Sequence, residues 1–272
     1  MKSRSFRPDC WLFTLSLLIS GQPSALAQGF SVLIAPPRFE LDAKPGEVVR
    51  RHLDISNPGD RLITLLVRTA DWDITELGAA AFHPPALRPN SCRPWMRIER
   101  HRISVQPRGL KRYRFEAHVP DDAPVGECRT ALLIEAPPEE AVETKAGALN
   151  LPIQGRIAVV IYLTVGDAKP QLKIRETLLD EYHGRQTPVL VVHNSGIAHG
   201  RTTGFVDGVD ADGKHIEFEV TPLPILPGQT RRIPLFQPEI DGREPQPFNP
   251  PLDLRGTLEW KDGKEKFERR VE

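Results

Sequence analysis

Two pairs of acidic residues stand close enough for general acid–base chemistry: Glu139 beside Glu140, and Asp71 with Asp73 around Trp72 in "ADWDI". Such a pair works only where burial or a neighbour drives the two acidities apart. The first pair lies in the polar run "PPEEAVETKAG" and reads as solvated charge. The second reads as exposed acids flanking a core tryptophan. The eight histidines are scattered; His52, His118 and His193 fall inside alternating segments and read as structural or surface residues. No nucleophile elbow, zinc-protease helix, phosphate loop or dinucleotide fingerprint occurs. The sequence therefore offers no catalytic centre, no metal ligand set and no cofactor motif, and the chain reads as a non-enzyme.

The remaining chemistry-bearing residues are cysteines and cations. Lys2, Arg4 and Arg7 precede the apolar "CWLFTLSLLIS", and "ALA" closes at Ala27. A basic start, a short apolar core and small residues at the exit describe a secretory signal, with cleavage expected after Ala27. The apolar run is shorter than the roughly 20 residues of a membrane span. Cys10 leaves with this segment, and Cys92 and Cys128 remain as an even pair in an oxidising compartment. A disulfide is expected, two buried free thiols being the alternative. Without residues 1–27 the chain keeps 33 of its 36 basic and 35 of its 36 acidic residues, a net charge of −2. No nucleic-acid or general membrane-surface partner is implied. Arg93, Arg97, Arg100, Arg102, Arg108, Lys111, Arg112 and Arg114 form a basic series suited to discouraging edge pairing.

These residues must be carried by strands. "VVRRHLDIS", "RLITLLVRTADW", "YRFEAHV", "TALLIEA", "TPVLVVHN", "RRIPLF" and "GTLEW" alternate by two between Gly, Pro and Asn turns. No helical stripe follows the signal, and 27 prolines suit loops and edge strands. Two halves repeat weakly: "DISNPGD" around Asn57 against "VVHNSGI" around Asn194, and "SVQPRGLKRYRF" against "PILPGQTRRIPLF", each a Pro-Gly turn feeding a basic-apolar strand. "DGKHIEF" and "DGKEKF" signal hairpins. The expectation is an all-β chain of two Ig-like β-sandwich domains, 28–166 and 167–272, joined at "GDAKPQ". A bridge from Cys92, before the fourth strand, to Cys128, before the sixth, would join opposite sheets at one end of the first sandwich.

One segment exceeds what a sandwich requires. In "ALNLPIQGRIAVVIYLTVG", residues Leu149, Leu151, Ile153, Ile157, Val159, Ile161, Leu163 and Val165 share one parity, broken only by Gly155. Side chains of one parity line one face of a strand. Residues 157–165 suffice to cross a sheet, so a single strand over 149–165 overshoots by Leu149, Leu151 and Ile153. An apolar strand edge left open is an aggregation hazard unless something is meant to pair with it, and strand addition to a partner meets that requirement.

Here the chain resembles the periplasmic pilus (fimbrial) chaperones of the chaperone–usher pathway. The resemblance is carried by "APPRFEL", "LDISNPG", a V-x-P-x-G turn, "VPDDAPVGECRTALLIEAPP" with Pro137 and Pro138, and the acidic loop before the alternating strand. It covers about half of the chain; the C-terminal half is similar only as a generic Ig-like domain. The resemblance implies two sandwiches set at an angle around a cleft, in the periplasm. It implies a donor strand whose Leu149, Leu151 and Ile153 complete a secreted pilus or surface subunit, and an outer-membrane usher as second partner. It also implies that Arg38 anchors the subunit's terminal carboxylate. The family's companion lysine is absent. Alignment places Ala158 there, with Arg156 on the same side about 6.6 Å away, so Arg156 is the expected second anchor. Pro152 departs as well, removing a donor from the pairing segment and limiting self-association through the exposed strand. A tandem-Ig structural or adhesion module, its long strand covered by its own acidic loop, is the competing expectation.

Overall fold

The computed structural model describes residues 32–75, 78–83, 85, 87–138, 142–146, 149–153, 155–239 and 244–272. The expected signal and the Glu139–Glu140 pair lie outside them. The first sandwich begins with a strand that changes sheets. β1 (Leu33–Ala35) pairs with β3 (Val48–Ser56), whereas β2 (Arg38–Ala43) crosses to the other sheet. The chain continues through β4 (Ile63–Ile74), β5 (Ala80–His83), a 3-10 turn at Arg93–Trp95, β6 (Met96–Ile98), β7 (Arg102–Val105), β8 (Leu110–His118) and β9 (Gly126–Glu135). Next come β10 (Val142–Ala146), β11 (Leu149–Ile153) and β12 (Arg156–Val165). One sheet runs β1-β3-β8-β6 and the other β2-β12-β9-β4-β5, with β7 also on β4; β10 and β11 form a two-stranded sheet of their own.

Alternation decides which residues fill the space between the sheets. Phe39, Leu41, Leu53, Ile55, Leu65, Val67, Tyr113, Phe115, Leu132, Ile134, Val159, Ile161 and Leu163 form one buried cluster. Cys92 and Cys128 close the expected disulfide, with Cα atoms 5.3 Å apart. By chain entropy this loop is worth about 4 kcal/mol. "ADWDI" departs from expectation. Trp72 is buried, but on the outer face of its sheet, packed with Ala131, Tyr162 and Leu226. Asp71 points inward and is only 1% exposed. Burial is tolerated because its carboxylate accepts bonds from the Arg88 backbone N–H and the Ser91 hydroxyl.

The second sandwich contains β13 (Leu172–Tyr182), β14 (Arg185–Asn194), β15 (Gly200–Arg201), β16 (Phe205–Val209), β17 (His215–Val220), β18 (Pro224–Ile225), β19 (Thr230–Phe236), β20 (Leu252–Trp260) and β21 (Gly263–Val271). Pairing runs β13-β14-β19-β17-β16-β20-β21, with β15 on β18. Its core is separate and built from Leu190, Val192, Val206, Phe218, Ile233, Leu252, Leu254 and Leu258, among others.

The weak repeat is a repeated hydrogen-bond device. Asn57 Nδ2 donates to the carbonyls of Arg61 and Val105, and its Oδ1 accepts the Gly59 N–H. Asn194 Nδ2 donates to the carbonyls of Ala198 and Ile225, and its Oδ1 accepts the Gly196 N–H. Each side chain pins the turn after its strand to the strand across the sandwich. The matching turns also share backbone bonds, Asn57 N–H to Gly109 and Asn194 N–H to Gln229. This alignment sets Arg108 against Gly228, and both have positive φ, 54° and 75°. The left-handed position of the first turn therefore falls on Arg108 and not on the adjacent glycine. Asn194 is fully buried and also accepts the Gln171 N–H, tying the turn to the chain entering β13. Asn194→Ala strands two buried carbonyls and two N–H groups and is expected to cost about 2–3 kcal/mol. A urea midpoint shift worth under about 0.5 kcal/mol would contradict this role.

Candidate functional site

The expected single strand over residues 149–165 is two strands. β12 pairs with β9 from Arg156↔Glu135 to Val165↔Gly126. β11 pairs with β10 from Leu149↔Ala146 to Ile153↔Val142, placing Pro152 opposite Glu143. Residues 136–141 separate β9 from β10, whereas only 154 and 155 separate β11 from β12. The two pairs are successive stretches of one long hairpin whose arms carry unequal inserts. Parity survives because the insert on the β11–β12 arm is even, so the alternation gives no sign of the break.

The other edge of this arm is the candidate site. β2 runs parallel to β12 but covers only Val160–Val165, starting with Arg38↔Val160. Arg156–Val159 therefore have β9 on one side and, among the described residues, no strand on the other. β11 likewise has β10 on one side only. An unpaired edge thus runs from Leu149 to Val159, interrupted at 154–155. The inward side chains along its β12 part, Ile157 and Val159, belong to the sandwich core or pack against it.

The outer face of the same sheet carries the expected anchors. Register places Arg38 beside Val160, and Arg156 four residues before Val160 on the same face, about 13 Å away along the strand. The two arginines are not brought side by side. Each is about half exposed and each already has an acid: Arg38 Nε is 3.1 Å from Glu40 Oε1, and Arg156 contacts Glu135. Glu135 is fully buried and is also contacted by Arg68 of β4. A carboxylate arriving at either arginine would share or displace a resident one.

At the other end of this face the second sandwich makes contact. The His199 ring stacks on Tyr162 with centroids 3.8 Å apart, and its Nδ1 lies 2.5 Å from Glu127 Oε2. The His199 backbone N–H donates to the same oxygen at 2.9 Å. Glu40 lies 3.8 Å from His199 Nε2 and 3.6 Å from Arg201 Nε. His199 beside it, then Arg201 and Arg38, hold the Glu40 carboxyl down at about 2 against the opposing effect of burial. Burial pushes the Tyr162 phenol up to about 12. Sequence reasoning missed this cluster: His199 lies in the turn "SGIAHG", and its acids are on β2 and β9, far away in the chain.

No family model and no curated protein sequence matches the chain. Similar solved structures exist. The fold is similar to that of fimbrial chaperones. The class 5 fimbriae chaperone CfaA aligns with a TM-score of 0.47 at 11% identity, over 88% of this chain and 99% of that one. The Pseudomonas aeruginosa CupB2 chaperone gives 0.44 at 14% identity, over 88% and 100%. A chain of the CsuC–CsuE chaperone–tip adhesion subunit pre-assembly complex, from archaic chaperone-usher Csu pili of Acinetobacter baumannii, gives 0.45 at 13% identity, over 89% and 98%.

Proposed function

We propose that this protein is a periplasmic chaperone for a pilus or surface subunit, holding its client by strand addition along the edge from Leu149 to Val159. The observation that carries this reading is the edge of β12 at Arg156–Val159, where β2 stops short and, among the described residues, no strand takes up the main-chain donors and acceptors. Backbone pairing would supply affinity, and Leu149, Leu151 and Ile153 would supply the side chains that complete an unfinished client core. In this reading residues 28–166 form the client-binding domain and 167–272 the supporting one. Arg38 and Arg156 are two separate cationic positions along the client's path. A guanidinium suits a chain-terminal carboxylate because its paired N–H groups match the two oxygens. An outer-membrane usher is the second partner in this reading.

The competing reading, a structural module whose strand is covered by its own acidic segment, draws on the pairing of β10 with β11. Co-expression with the small secreted proteins encoded nearby, followed by co-purification, separates the two. The chaperone reading expects a one-to-one complex. Arg38→Ala is expected to weaken it by about 1.5–3 kcal/mol, roughly tenfold to a hundredfold in Kd, with the melting temperature unchanged. A stable complex of unaltered affinity would remove Arg38 from the site. Absence of any complex with every such protein would favour the module.

A further inference from the structure

We propose that His199 is a proton-operated latch between the two sandwiches, closed when the imidazole is charged and released when it is neutral. The inference concerns the protein with or without a client.

The geometry is that of a cation held by two acids from the opposite domain. The His199 side chain is 9% exposed and that of Glu127 is fully buried. β9 presents Glu127 and, behind it, Arg129, whose Nη1 lies 3.5 Å from Glu127 Oε1. β2 presents Glu40, flanked by Arg38. β12 presents the Tyr162 ring, stacked on the imidazole. From its own side, Arg201 also reaches Glu40. A neutral imidazole can donate through only one ring nitrogen, so it cannot serve Glu127 through Nδ1 and face Glu40 through Nε2 as a donor at once. The charged ring serves both. Loss of the proton leaves a buried carboxylate facing an acceptor or a neutral donor, in a site where water cannot compensate. Two further ion pairs cross the junction among the described residues: Arg201 to Glu40 at 3.6 Å, whose acid is partly exposed, and Lys261 to Asp42 at 3.1 Å, which is exposed and screened.

The sign follows from the groups present. Burial pushes His199 down, but its bonds to Glu127 and Glu40 outweigh that and raise it above the ordinary 6.5. A raised histidine contributes fully below its ordinary value, and the contribution fades as pH rises through the raised one. Glu40, held at about 2, contributes above its ordinary 4.5 and is lost as pH falls toward 2. The latch is therefore whole from about pH 5 to 6.5 and opens on the alkaline side.

The test uses the full chain in solution. Residual dipolar couplings report whether the two sandwiches tumble as one body, and the His199 ring carbon shift reports its titration. The expected result is one common alignment tensor at pH 5.5 and two distinct tensors at pH 9, with amide spectra dispersed at both. The ring should titrate above 6.5. His199→Gln, which keeps the backbone bond to Glu127 but holds no titrating proton, should give the same tensors at both pH values. Glu40→Gln, at a more exposed position, should move the His199 titration to lower pH. A wild-type alignment that does not change with pH would overturn the latch. So would a ring that titrates at or below 6.5, or a pH response in His199→Gln equal to the wild type's.

Discussion

Changing Leu151 and Ile153 together to serine is expected to abolish capture of the client while moving the melting temperature by no more than about 2 °C. The reason lies in which strands hold the sandwich together. Among the described residues β11 pairs with β10 alone, in a sheet separate from the two that enclose the core. A lone two-stranded hairpin is marginal in water and adds little to the stability of the domain beneath it. For a client the arithmetic differs. Each aliphatic side chain moved from water into an apolar core is worth about 1.5–3 kcal/mol, so losing two weakens binding by roughly 3–6 kcal/mol. That is about two to four orders of magnitude in Kd. Thermal melts beside the co-purification assay check both halves. A large fall in stability with no change in capture would place these residues in the protein's own core and favour the structural module.

The second large effect is expected at the buried acid between two arginines. Replacing Arg68 and Arg156 together by alanine leaves the Glu135 carboxylate, 0% exposed, with neither cation. Stranding a buried charge in this way costs about 3–5 kcal/mol. Either single substitution should cost only about 1 kcal/mol, because the remaining half-exposed arginine still faces the acid. Adding Glu135→Gln to the double variant should recover much of the loss, since a neutral amide needs no counter-charge. Urea unfolding of the four variants beside the wild type checks the pattern. A double variant no weaker than the sum of small single effects would mean that the carboxylate finds water or a proton instead. The result also bears on client binding: Arg156 serves the fold first, so a loss of affinity in Arg156→Ala counts only beside an unchanged melt.

How much of this was legible depended on whether one residue's phase was kept along a strand. β3 was read from Val48 to Ser56 without error, because Val49, Leu53 and Ile55 keep one parity across the exposed Arg51 and turns bound the strand on both sides. β13 was not read at all. Its pairing with β14 shifts between Ile174 and Glu176, so the core-facing Leu172 and Ile174 are out of phase along the chain with Leu179, which packs on the same core. A bulge of this kind hides a strand from any argument based on period two. The division of residues 149–165 failed for the opposite reason, since an even insert preserves the phase. Asp71 was read as exposed because its burial depends on a backbone N–H 17 residues on, at Arg88, and a hydroxyl 20 residues on, at Ser91, which only the folded chain supplies. The His199 cluster needs three strands and both sandwiches before its members meet. The repeat around Asn57 and Asn194 was visible because each asparagine bonds the N–H two residues on and the carbonyl four residues on within its own turn, which fixes a short sequence pattern.

The strand that changes sheets sets an order of events. Among the described residues β2 is hydrogen-bonded to β12 and to no other strand, and these two lie at opposite ends of the first sandwich's sequence. Everything from β3 to β9 can find its antiparallel neighbours while the chain is still emerging, but the edge at β2 must wait for its parallel mate. Parallel pairing between distant segments is slow to form, because the loop is closed before any contact rewards it. A nascent chain halted before Arg156 would therefore carry a gap where β12 belongs, flanked by β2 and β9. Closing that gap is the last step of building the first sandwich, and the residues that close it are continuous with those proposed to close a gap in another protein.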